Sequence, residues 1–137
     1  MSMALHRNIG AFVKIQAGID PEDSAAQTIN GAAIDRQGYL SSMLHHACGA
    51  ASGSPTAQTV ATKLQDSADG STGWADVSGA AVTDLTADDT EDEVDIDLSG
   101  AKRYVRAVTV VSFTAGTTPS IPVAATLVLA GKDELPA

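Results

Sequence analysis

Three groups of residues could do chemistry in this chain. Between Asp66 and Asp97 stand eleven carboxylates and no Lys or Arg. Seven of them crowd the end of that stretch: Asp88, Asp89, Glu91, Asp92, Glu93, Asp95 and Asp97. Such a density suggests Ca²⁺, which takes about six to eight oxygen ligands, but no loop has the Asp-x-Asp-x-Asp-Gly order with a closing Glu. If Glu93 to Leu98 is extended, Glu93, Asp95 and Asp97 point one way, about 6.6–7 Å apart, too far to share an ion without help from loops. The run reads as a solvated or partner-facing strip whose mutual repulsion a cationic partner would relieve. His45, His46 and Cys48 form the second group. On a strand the two histidines face opposite sides, and on a helix no carboxylate stands at a chelating spacing, so no metal site is expected. Cys48 reads as a small buried apolar residue.

The third group is the hydroxyls. Nucleophilic catalysis needs a base beside an activated Ser or Cys. No Gly-x-Ser-x-Gly elbow and no phosphate loop occur, and Ser24 and Ser41 read as turn or strand residues. Aromatics are 4% of the chain, too few for a sugar-stacking cleft. The expectation is a protein that is not an enzyme and needs no cofactor or metal. A net charge of −9 argues against nucleic acid and anionic membrane as partners. Met1 to Ala17 shows no apolar signal-peptide core, and Lys132-Asp-Glu-Leu135, followed by Pro136 and Ala137, reads as chance.

The elements that must position these residues are strands. Ala101 to Thr114 is the longest run of β-formers. Tyr104, Arg106, Val108 and Val110 alternate with Arg103, Val105, Ala107, Thr109, Val111 and Phe113, as on a central strand covered on both faces. Glu93 to Leu98 alternates most cleanly, with Val94, Ile96 and Leu98 inward. Further strands are expected at Ala11–Ala17, Leu40–Gly49, Thr56–Asp66, Trp74–Val77, Ala81–Thr86 and Ile121–Gly131, with Pro122 at the start of the last or on an edge. Asp20-Pro-Glu-Asp23 has a helix-start signature and predicts one or two helical turns up to Gln27. Asp69-Gly70 predicts a hairpin reversal ending at Trp74. Residues 1–8 read as a flexible arm and residues 9–137 as one all-β sandwich of about eight short antiparallel strands. A jelly roll and an immunoglobulin-like topology fit that count equally well.

Several segments carry a family resemblance. Ser67-Ala-Asp-Gly-Ser-Thr-Gly-Trp74 locally resembles a hairpin of discoidin-type jelly rolls, which bind carbohydrate or lipid. Five segments resemble the small head proteins of tailed bacteriophages: Asn30–Ser41, Leu64–Trp74, Asp97–Arg106, Thr117–Val123 and Leu135-Pro136. The nearest likeness is to the jelly-roll cement, or decoration, proteins of Bordetella-infecting podoviruses. That resemblance implies a jelly roll on the outer surface of the virion head, bound to the major capsid protein and stabilising contacts between its subunits. It also implies a homodimer, with a trimer as alternative. The candidate partner-interface residues are Ser2, His6 and Arg7 of the arm, the acidic strip Asp88, Asp89, Glu91, Asp92, Glu93, Asp95 and Asp97, and Arg103 and Arg106. The two arginines are expected to pair with acids of the preceding strand or of a neighbouring subunit. The alternative function is a carbohydrate- or host-surface-binding jelly-roll module of a phage particle.

Overall fold

In the computed structural model, which describes residues 8–132, the alternating stretches become nine strands in two sheets. A 3-10 turn at Ile9–Ala11 precedes β1 (Lys14–Ser24). The other strands are β2 (Gln27–Asn30), β3 (Ile34–Asp35), β4 (Tyr39–Cys48), β5 (Ala57–Ser67), β6 (Ala75–Ala81), β7 (Glu91–Asp97), β8 (Tyr104–Thr114) and β9 (Ile121–Lys132).

The strand pairs are nested and antiparallel. β5 and β6 form a hairpin, β4 pairs with β7 around it, β2 and β3 pair with β8, and β1 pairs with β9 outermost. Rolled over, this ribbon gives a sheet ordered β1-β9-β4-β7 and a second ordered β2-β8-β5-β6, with β3 also on β8. Such wrapped pairs make a jelly roll and decide against the immunoglobulin arrangement.

Three expectations change. Asp20 to Ser24 continues β1 as strand, and the helical turns do not form. β1 lies at a sheet edge, and its register against β9 slips between Ala17 and Ile19 and again between Ile19 and Glu22. Pro21 falls in the second slip, so it costs no ladder bond. Edge pairing with β9 has outweighed a local capping signal worth about 1 kcal/mol. The second change concerns β8, which is central in hydrogen bonding and buried along its inner face but covered only in part on its outer face. Val105, Ala107, Thr109 and Val111 are buried inward, whereas outward Val108 is covered and Val110 is 40% exposed. Ala81 to Thr86 is also no separate strand. β6 ends at Ala81, and Leu85 then exchanges two backbone bonds of 2.9 Å with Val60.

Val, Ile, Leu and Ala from both sheets fill the space between them in two clusters. The larger gathers Leu44, Leu64, Ile96, Leu98, Val105 and Leu127, among others, and the smaller gathers Cys48, Val60, Leu85, Val111, Ile121 and Val123. At the open seam beyond β1 the backbone comes very close to itself. A Cβ on Gly31 would lie 2.0 Å from the Gly18 carbonyl oxygen and 2.9 Å from that of Ala107, which accepts the Gly31 N–H at 2.7 Å. We expect Gly31→Ala to lower stability by about 3 kcal/mol or more, the high end of overpacking, because backbone must move. Gly100→Ala, with nothing within 4 Å of the added carbon, should stay within about 0.5 kcal/mol. Urea unfolding midpoints of the two variants check this.

Candidate functional site

The strand period sorts the His45–Cys48 group as the alternation requires. Leu44, His46 and Cys48 point inward, and Met43 and His45 point outward. His46 is 1% exposed and fully bonded: Nε2 lies 2.9 Å from the Thr83 carbonyl oxygen and Nδ1 lies 2.8 Å from Thr62 Oγ1. Thr62 Oγ1 is in turn 2.7 Å from Thr109 Oγ1. A carbonyl can only accept, so Nε2 carries the ring proton. Nδ1 then accepts from the Thr62 hydroxyl, and that oxygen accepts from Thr109. His46 follows Leu44 and precedes Cys48, Thr62 lies between Val60 and Leu64, and Thr109 lies between Ala107 and Val111. The three side chains therefore form a polar layer between the two apolar clusters. Cys48 Sγ lies 3.4 Å from the Ala87 carbonyl oxygen. Among the described residues no three His, Cys, Asp or Glu side chains are grouped to hold a metal ion.

The acidic strip divides into parts with different work. Asp88 staples loops: its Oδ1 accepts from Ala51 N at 3.0 Å and Gln58 Nε2 at 2.6 Å, and these bonds hold its carboxyl below the usual range. Asp89 sits beside it with a positive φ of 54°. Asp92 accepts the Glu93 N–H at 2.8 Å. Glu91, Glu93, Asp95 and Asp97 are exposed in one outward column on β7, the edge strand of the four-stranded sheet. His45, on the neighbouring strand, has Nε2 3.7 Å from Glu91.

The two arginines do not meet that column, because β7 lies in the opposite sheet from β8. Arg103 grips Asp35 with two bonds of 2.8 and 3.1 Å, pulling the Asp35 carboxyl down to about 2. Arg106 donates twice to Gln65 Oε1, at 3.1 and 2.9 Å, and lies 4.4 Å from the centre of the Trp74 ring. Gln65 and Lys63 both donate to Asp76 at 3.0 Å. The outer face of the five-stranded sheet is thus laced together by its own side chains. In the hairpin before Trp74, the Asp69 carboxylate accepts from the amides of Ser71 and Thr72 and the hydroxyl of Thr72, each at 2.9 Å, which pulls its pKa far down. Those residues build the turn. Ser2, His6 and Arg7 lie outside the described residues.

Sequence reading missed the polar layer and Arg36, whose guanidinium donates to the carbonyls of Ala101, Lys102 and Tyr39. The signal for the layer was present: His46, Thr62 and Thr109 each occupy an inward position of an alternating strand.

No protein-family model and no curated protein matches the chain. Among solved structures, a chain of infectious bursal disease virus, Gx strain, is similar with TM-score 0.51 and 15% identity, covering 90% of this chain and 34% of that one. This chain therefore spans about a third of the viral chain, and the likeness is one of fold. A chain from the disulfide-linked pili of Bacillus endospore appendages is similar at TM-score 0.41 and 13% identity, covering 87% of this chain and 88% of that one. The family 11 carbohydrate-binding module of Clostridium thermocellum is similar at 0.36 and 11%, with coverage of 88% and 84%.

Burial pushes the His46 imidazole below its ordinary value, with the Thr83 bond and Asp92 opposing. The unfolded chain therefore takes up a proton first as pH falls, so this contribution to stability is complete above about pH 6.5 and declines below it. The decline is at most about 1.4 kcal/mol per pH unit and stops at the folded-state pKa. Carboxylates such as Asp35 add their own losses only below about pH 4. Urea midpoints from pH 8 to 5 should fall for the wild type and for His45→Gln, while His46→Gln should be less stable at pH 8 but flatter across the range.

Proposed function

We propose that this chain is a non-catalytic structural protein of a virus particle. It acts as a jelly-roll cement, or decoration, protein on the outer surface of a tailed-phage head, where it binds the major capsid protein and strengthens contacts between its subunits. The observation that carries this reading is where the reactive side chains go. His46 and Cys48 are inside the sandwich, Asp69 closes a turn, Asp88 joins two loops, and Arg36, Arg103 and Arg106 tie strands together. What the molecule offers outward is surface, which suits a protein that works by binding.

The similarity in fold to a chain of infectious bursal disease virus is consistent with a place in a particle. Many copies on one closed shell would make weak individual contacts sufficient. In this reading the protein is a homodimer, with a trimer as the alternative, since two-fold contacts are the commonest in homo-oligomers. Trp74 keeps a carbohydrate-binding reading open. Its ring is half-buried with one face against Arg106, so a sugar would have to stack on the other face.

The test is co-sedimentation with expanded phage heads that lack the protein. We expect saturable binding that weakens as salt is raised. A failure to bind, together with glycan affinity abolished by Trp74→Ala, would replace the cement reading by the carbohydrate one.

A further inference from the structure

The two outer faces of the sandwich differ in kind. On the five-stranded sheet Lys63, Gln65, Asp76, Trp74 and Arg106 satisfy one another. On the four-stranded sheet, the outward positions of β1, β9 and β4 are held largely by small and apolar residues. Its register builds rows that run straight across the strands. Ile15 stands beside Val128, Val128 beside Met43, and Met43 beside Asp95. The next row is Ala17, Thr126, His45 and Glu93. Flanking rows are Ala124, Ala47 and Glu91 on one side and Ala130, Ser41 and Asp97 on the other. Every row therefore ends in a carboxylate; the row of Ile15, Val128 and Met43 is apolar before it, and the others hold small residues with Thr126, His45 and Ser41 among them. No Lys or Arg stands in any of them. Ile15 is 66% and Met43 37% exposed, so two of the large apolar side chains left open to solvent share one row.

We infer that this face is the docking surface for a protein whose own contact region is apolar and bordered on one side by Lys or Arg. The inference rests on the cement reading, and it names the face that meets the shell. Charge selects the occupant. Four carboxylates in one column, about 6.6–7 Å apart, repel one another in the unbound protein. A matching row of cations relieves that repulsion, while the apolar field supplies burial. A second copy of this chain fits poorly, because it would bring another carboxylate column and, in these four rows, no Lys or Arg to meet the first. The size of the face agrees with the role. Four strands about 4.8 Å apart and about seven residues long span roughly 450 Å². Counted over both partners that is about 900 Å², in the range of weak, transient contacts. Such a contact holds only where many copies act on one particle.

The experiment uses empty expanded heads of the phage that encodes the chain, prepared without this protein, and measures half-saturation by co-sedimentation. Met43→Glu and Ile15→Glu place a charge in the apolar field. Val110→Glu places the same charge on an exposed position of the other sheet. Glu93→Gln with Asp95→Asn neutralises the middle of the column. All these positions are exposed, and Ile15 lies on an edge strand, so Ile15→Glu serves if Met43→Glu does not fold. We expect both field variants to raise half-saturation at least ten-fold, Val110→Glu to change it less than two-fold, and the neutralised pair to lose most of its salt dependence. If the wild type binds and the field variants bind equally well, the face is wrong and the cement reading stands. If the wild type does not bind at all, the cement reading falls and takes this face with it.

Discussion

A chain of three hydrogen bonds through the middle of the sandwich fixes how its two sheets face each other. Apolar packing is strong but has no direction, and Val, Leu and Ala in facing sheets tolerate sliding. The His46 layer does not. Burying an imidazole and two hydroxyls without partners would cost several kcal/mol. The cost is avoided only when β4, β5, β8 and the Thr83 carbonyl stand where each donor has its acceptor. The order of donation from Thr109 to Thr62 to His46 to Thr83 leaves each bonding proton with one acceptor. Shifting β4 by one residue would put His45 into the core and His46 outside, and no part of that arrangement would survive. The inward His46 therefore also fixes what β4 shows to solvent, including Met43 and the partner strand's carboxylate column.

The other polar side chains show a similar economy. Arg36 serves three carbonyls around a turn, Asp69 gathers the donors of its own hairpin, and Asp35 holds Arg103. The glycines at 18 and 31 let two backbones touch where the seam is open. These arrangements use up reactive groups in holding short strands together. A column of four carboxylates is left on the edge strand β7, where like charge also discourages two such edges from pairing with each other.

Much of this was legible in the residues, and the exceptions have physical causes. The strands at Leu40–Gly49, Thr56–Asp66 and Glu93–Leu98 emerge close to their expected bounds because each alternates over a half-buried surface. The Asp69-Gly70 reversal follows from local turn chemistry. Asp20-Pro21 was misread because capping residues describe only what a segment prefers alone, and the pairing of β1 with β9 joins residues a hundred positions apart. The choice of jelly roll over immunoglobulin order was invisible for the same reason, since strand order is a property of distant pairs. The partners of Arg103 and Arg106 depended on it too. Once β7 and β8 fall in different sheets, neighbours in sequence are no longer neighbours in space. His46, Thr62 and Thr109 each looked like isolated polar residues until their inward positions were brought to one level.

The nested pairing has a consequence for when the molecule becomes competent. β9 lies inside the four-stranded sheet, between β1 and β4, yet it follows the other eight described strands in chain order. Until residues 121–132 are in place, β1 has no sheet to join and Ile15 and Met43 have no Val128 between them. The hairpin of β5 and β6 can close early, but the wide loop between β1 and β9 must close late, and such non-local pairing is slow. A partly synthesised chain would hold the acidic strand without the apolar rows beside it. The outer face of the four-stranded sheet is thereby withheld until β9 has joined it, and a partly folded copy presents none of its rows complete.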